Sequence, residues 1–106
     1  MIGLLMMLAG PDLIAFETGN ALYADCVSAL PMRTQACRSY IAGVADAARS
    51  FRGTGAVKIA CIPMGATTQQ LSDVVIGSLR AAPEMRHLLA SDLVLSALNE
   101  AYPCRE

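Results

Sequence analysis

Tryptophan is absent from this chain of 106 residues, and aromatic residues make up only 5 % of it. The 55 % hydrophobic content therefore rests on aliphatic side chains and alanine. Histidine occurs once, at His87, and no Cys-x-x-Cys pair is present; together these absences exclude an ordinary zinc site, which needs closely spaced ligands. Charged residues are few at 16 %, the net charge is −1 and no Lys or Arg precedes Arg33. Neither a nucleic-acid footprint nor a polybasic membrane patch can be drawn from charges so scattered. No apolar run reaches the ~20 residues of a membrane span, and no internal repeat or low-complexity stretch occurs.

Against those absences stand four cysteines, Cys26, Cys37, Cys61 and Cys104, with 10, 23 and 42 residues between successive members. An even count in a short chain reads as two disulfides in an exported protein, with free buried thiols as the alternative. Met1–Ala9 is an apolar run, Gly10-Pro11 breaks it, and Leu13-Ile14-Ala15 offers a small residue for cleavage. Residues 1–15 are therefore expected to be a signal peptide or its remnant, although the usual basic n-region is missing. A first helix packed on the core is the competing reading. Removing that segment leaves about 91 residues, residues 16–106, enough for one small domain that is marginal without staples.

Beyond residue 15 the hydrophobic pattern is helical throughout. Thr18 opens a first helix carrying Leu22, Tyr23, Cys26 and Val27 and ending before Pro31. A second is expected over 34–51, with Cys37, Tyr40, Ile41, Val44, Ala48 and Phe51 on one stripe. Its other side holds Ser39, Ala42, Gly43, Asp46 and Ser50, small enough to admit a second helix closely. Residues 56–63 form a connector with one extended stretch at Val57–Ile62. Thr67 followed by Gln70 is a capping-box signature for a third helix bearing Leu71, Val74, Val75, Ser78 and Leu79, with Asp73 and Arg80 outward and Pro83 as its stop. The fourth begins at Ser91 or Asp92, either a good N-cap, and runs to Tyr102. Its apolar residues, from Leu93 to Tyr102, cover more than half its circumference, so it is either the central helix or shared with a partner subunit.

The fold class expected is thus all-α, a small disulfide-stabilised bundle of about four helices. Helix ends organise the cysteines: Cys26 and Cys37 flank the turn at Pro31, while Cys61 precedes the third helix and Cys104 follows the fourth. Of the three possible connectivities, 26–37 with 61–104 fits antiparallel neighbours.

Five stretches in order carry a family resemblance. They are Gly19-Asn20-Ala21-Leu22-Tyr23-Ala24-Asp25-Cys26; Cys37 to Ala47; Cys61-Ile62-Pro63-Met64-Gly65 leading to Gln70-Leu71-Ser72-Asp73-Val74-Val75; Pro83 with Arg86-His87; and Leu93 to Leu98 running on to Tyr102-Pro103-Cys104. Together they resemble the Rap1a/Tai family of small periplasmic immunity proteins. That resemblance implies an all-helical, often dimeric protein in the periplasm. It would bind a peptidoglycan amidase effector of a type VI secretion system and protect sister cells by occlusion, not catalysis.

Read residue by residue, the chain supports no enzyme. Asp46 lacks a catalytic partner and is expected to be a structural carboxylate, paired with Arg86 or capping connector amides. His87 has no adjacent nucleophile, since all cysteines are used. Gly53–Lys58 lacks the spacing of a phosphate loop. No cofactor, metal or nucleic-acid partner is expected, and no stable membrane insertion after processing. The partners expected are the amidase effector and, from the wide fourth helix, a second copy of the chain. Glu84, Met85, Arg86 and His87, in the turn Pro83–His87, are the expected effector contacts. An exported chaperone or envelope-stress factor is the alternative function.

Overall fold

The computed structural model describes residues 16–53 and 59–105. The expected leader, and Val57 and Lys58 of the connector, lie outside them. The order is α1 (Gly19–Cys26), α2 (Pro31–Gly53), α3 (Thr68–Ala81), a 3-10 turn (Pro83–Met85) and α4 (Ala90–Ala101). No strand occurs among the described residues. The all-α bundle of four helices read from the sequence is the fold.

α2 begins at Pro31, three residues earlier than the hydrophobic stripe indicates. A proline at the first helical position donates no N–H, but that donor would be unpaired there anyway, and its φ is already helical. α1 has already ended at Cys26, with Val27 as its C-cap, so Pro31 acts as the start of α2. The hairpin is closed by Cys26–Cys37, Cα–Cα 5.0 Å, and by Arg33 Nε donating to Asp25 Oδ1 at 2.9 Å. Cys37, Ile41, Ala45 and Ala48 are buried, and Tyr40 and Val44 pack partly against them. Of the small-residue side of α2, Gly43, Asp46 and Ser50 are exposed, while Ala42 is half-buried at the edge facing Thr68 and Leu71 of α3. A Cβ built on Gly43 would meet none of the described residues within 4 Å, so at that position the expected close helix approach is not what the glycine serves.

α3 starts as its sequence states. Thr67 Oγ1 accepts from the Gln70 amide at 3.1 Å and Gln70 Oε1 accepts from the Thr67 amide at 2.8 Å. Leu71, Val75 and Leu79 are buried, but the fourth inward residue is Ser72, not the expected Ser78, which is exposed. The Ser72 hydroxyl has no hydrogen-bond partner among the described residues. A buried, unpaired hydroxyl costs about 1–3 kcal/mol. Ser72→Ala should therefore raise the unfolding free energy by about 1 kcal/mol in urea titration; a lower value would mean that the hydroxyl is satisfied in solution.

α4 packs on α1, α2 and α3, as each of the other helices packs on the remaining three. Ala90, Val94, Ala97 and Leu98 are buried and Leu93 packs against them, whereas Leu95 is half-buried outside that cluster. Its start is Ala90, and neither Ser91 nor Asp92 caps it. The Ala90 amide instead donates to Glu17 O at 2.8 Å, beside an isolated antiparallel bridge between Thr18 and Leu89. In return the first amides of α1 are capped by the segment before α4, Gly19 N to Leu88 O at 2.9 Å and Asn20 N to Arg86 O at 2.7 Å. Two helix N-termini thus satisfy each other's orphan donors through the backbone.

Gly19 is required at that crossing for reasons of space. A Cβ there would collide with Leu93 Cδ1 and stand 2.8 Å from Arg86 O. Gly19→Ala should destabilise the domain by about 1–3 kcal/mol through overpacking, although alanine is intrinsically the better helix former by about 1 kcal/mol. Thermal unfolding of the variant checks the sign.

Candidate functional site

The turn between α3 and α4 is built by Pro83, which ends the α-helical run and begins the 3-10 turn. Its backbone is closed locally, Met85 N to Ala82 O at 3.0 Å and Leu88 N to Met85 O at 3.0 Å. Arg86 points back into the fold: its Nε donates to Leu79 O at 2.8 Å, and its guanidinium lies 4.1 Å from the centroid of the Tyr23 ring. Such stacking is worth about 0.5–2 kcal/mol, depending on exposure. Arg80 Nε donates to the hydroxyl of the same tyrosine at 3.3 Å. Tyr23 therefore holds two arginines, one on its face and one on its rim, and fixes the turn to α1.

That arrangement separates residues the sequence grouped together. Glu84, Met85 and His87 are exposed, whereas Arg86 is half-buried. The Asp46–Arg86 pairing read from the sequence is not the contact the structure makes. Asp46 is exposed on α2, at the rim of a cleft of about 110 Å³ between α2 and the connector that Arg49 and Ile62 also line. The connector is reached from α2 by Arg49, whose Nη2 donates to Ile62 O at 3.3 Å.

An apolar edge continues from the turn. Met85, Leu88 and Leu89 are 43 %, 37 % and 44 % exposed, and Phe16, next to the Thr18–Leu89 bridge, is 72 % exposed. Glu84 and His87 stand among these residues as polar neighbours. Behind the edge, burial pushes the Tyr40 pKa above its ordinary value, with nearby Ser91 opposing the rise and the Glu17 and Asp92 carboxylates adding to it. Glu17 is likewise raised, by burial first and by Asp25 second.

The opposite end of the bundle is tied down. Cys61 and Cys104 are bridged, Cα–Cα 5.0 Å. The Cys61 amide donates to Tyr102 O at 2.9 Å and the Ala60 amide to Asn99 Oδ1 at 3.0 Å. Ala60 has a φ of 53°, a left-handed conformation that non-glycine residues rarely adopt. Asn99 was passed over in the sequence, yet an amide side chain inside a helix so rich in apolar residues was a visible signal. Tyr23 and Gly19 carried no such mark, because their partners come from elements some 60 residues away.

All four cysteines are paired. Among the described residues no group of three or more His, Cys, Asp or Glu side chains is placed to hold a metal ion. No described helix is long and apolar enough to cross a membrane. These features define a small helical domain with two staples and a partly apolar exposed edge. The model of the Rap1a immunity proteins matches residues 18–104, and the chain belongs to that family. Membership implies a type VI secretion immunity role with a cognate effector as partner. No curated protein and no solved structure gave a significant match.

Proposed function

We propose that this protein is a periplasmic immunity protein that binds a peptidoglycan amidase effector of a type VI secretion system and blocks its cleft without chemistry of its own. Family membership over residues 18–104 is the observation that carries the reading. Two disulfides agree with an oxidising compartment. The blocking surface is the turn Pro83–His87 with its apolar continuation through Leu88 and Leu89. A rigid scaffold presenting an exposed loop suits occlusion, and Met85 supplies an adaptable apolar contact. Arg86 serves this surface chiefly from behind, by anchoring the turn on Leu79 and Tyr23.

The experiment is capture from periplasmic extract followed by titration of the captured amidase. One tight, stoichiometric partner supports immunity; weak binding of many unfolded clients would assign the protein to the chaperone class instead. Glu84→Ala with Met85→Ala should leave stability within about 0.5 kcal/mol and weaken binding about 30-fold, the effect of a central interface contact worth about 2 kcal/mol. Unchanged affinity would move the surface to another face. The homodimer is retained in this proposal on a surface other than α4. Val27, Leu30 and Met32, exposed around the α1–α2 turn, are the apolar residues offered to a second copy. Sedimentation showing monomer alone at micromolar concentration removes that assembly.

A further inference from the structure

The two bridges join the cysteines in their order along the chain, first with second and third with fourth. We propose that this protein matures by direct oxidation alone, Cys26–Cys37 closing before Cys61–Cys104, and that its partner in this step is a thiol–disulfide oxidase and not an isomerase. An oxidant that links cysteines as they become available produces the native pairing without reshuffling.

Three observations support the order. Loop-closure probability falls as about the −3/2 power of length. With partners 11 and 43 positions apart, the first bridge is favoured about eightfold over the second by chain statistics alone. The nearest wrong pair, Cys37 with Cys61, spans 24 positions and is disfavoured about threefold. Helix formation then widens that gap. Arg49 Nη2 bonds to Ile62 O, so Cys61 belongs beside the Arg49 end of α2, about 18 Å along the helix from Cys37.

Burial shields one sulfur of the first bridge once it is made. Cys37 is 2 % exposed and closed to attack by a later thiolate, whereas Cys26, Cys61 and Cys104 are half-buried, which leaves the second pair open to an oxidant. Finally, the second pair is pre-positioned without its bond. The Cys61 amide on Tyr102 O and the Ala60 amide on Asn99 Oδ1 dock the connector beside the end of α4.

In each step a cysteine thiolate of this chain attacks the oxidase disulfide, giving a mixed disulfide and one oxidase thiolate. The second cysteine thiolate then attacks the chain's own sulfur in that mixed disulfide and expels the other oxidase sulfur. Counted from the thiols, two electrons and two protons leave this chain, and the oxidase disulfide becomes a dithiol.

The test uses the fully reduced chain and a thioredoxin-fold oxidase in its disulfide form, with timed acid quenching, alkylation and peptide mapping. The expected main one-bridge species is Cys26–Cys37, followed by the native two-bridge product, with rate and yield unchanged when a disulfide isomerase is added. Cys37–Cys61 as the main one-bridge species, or an increase in native yield with isomerase, overturns the proposal. A Cys61→Ser/Cys104→Ser variant should close Cys26–Cys37 at the parental rate. Slower closure there would show that the first bridge depends on the second half of the fold, and would equally overturn the order.

Discussion

Replacing Cys61 and Cys104 together by serine should lower the unfolding free energy by about 4 kcal/mol, and replacing Cys26 and Cys37 by about 3 kcal/mol. The difference follows from the chain each bridge encloses, with sequence separations of 43 and 11. A longer closed loop removes more freedom from the unfolded state. Domains are stable by only about 5–15 kcal/mol in total, so the longer bridge accounts for a large share. Urea titration of both double variants under matched conditions measures the two losses. A smaller loss for Cys61/Cys104 than for Cys26/Cys37 would mean that the connector's backbone ties already restrain the unfolded chain or that the bridge strains the native one.

Leu98→Ala should cost about 3 kcal/mol, within the 2–5 kcal/mol typical of a fully buried leucine. Leu98 has no exposed surface and belongs to the buried core cluster, so its truncation leaves a cavity inside the core. The control is Leu95→Ala on the half-buried side of the same helix, where less than half that loss is expected. A loss at Leu95 as large as at Leu98, and growing with dilution, would place a second copy of the chain on that side of α4.

Local signals in the sequence translated directly into structure. The Thr67–Gln70 box closes within four residues, so nothing distant competes with it. Asp73 and Arg80 lie outward on α3 as their spacing indicates. The cysteine connectivity was legible because helix ends, read from Pro31, Thr67 and Pro103, already place the partners next to each other in an antiparallel bundle. The helix starts were less legible where a distant backbone supplies the cap. Ala90 begins α4 because Glu17 O accepts its amide, and no residue near position 90 records that carbonyl.

The same distinction governs the candidate surface. Sequence alone determined an all-helical domain, two staples and an exposed turn at Pro83, because periodicity, capping and proline geometry act over a few residues. Only the tertiary structure decided that Arg86 belongs to Tyr23 and Leu79 and not to Asp46. It also decided that no described residue covers Gly43, that Ser72 and not Ser78 turns inward, and that Ala90, Val94, Ala97 and Leu98 are the residues of α4 that the core takes in. A pattern of apolar residues states that a face is covered. Which element covers it depends on how the helices cross, and that is set by contacts such as Gly19 against Arg86 and Leu93, between residues far apart in the chain.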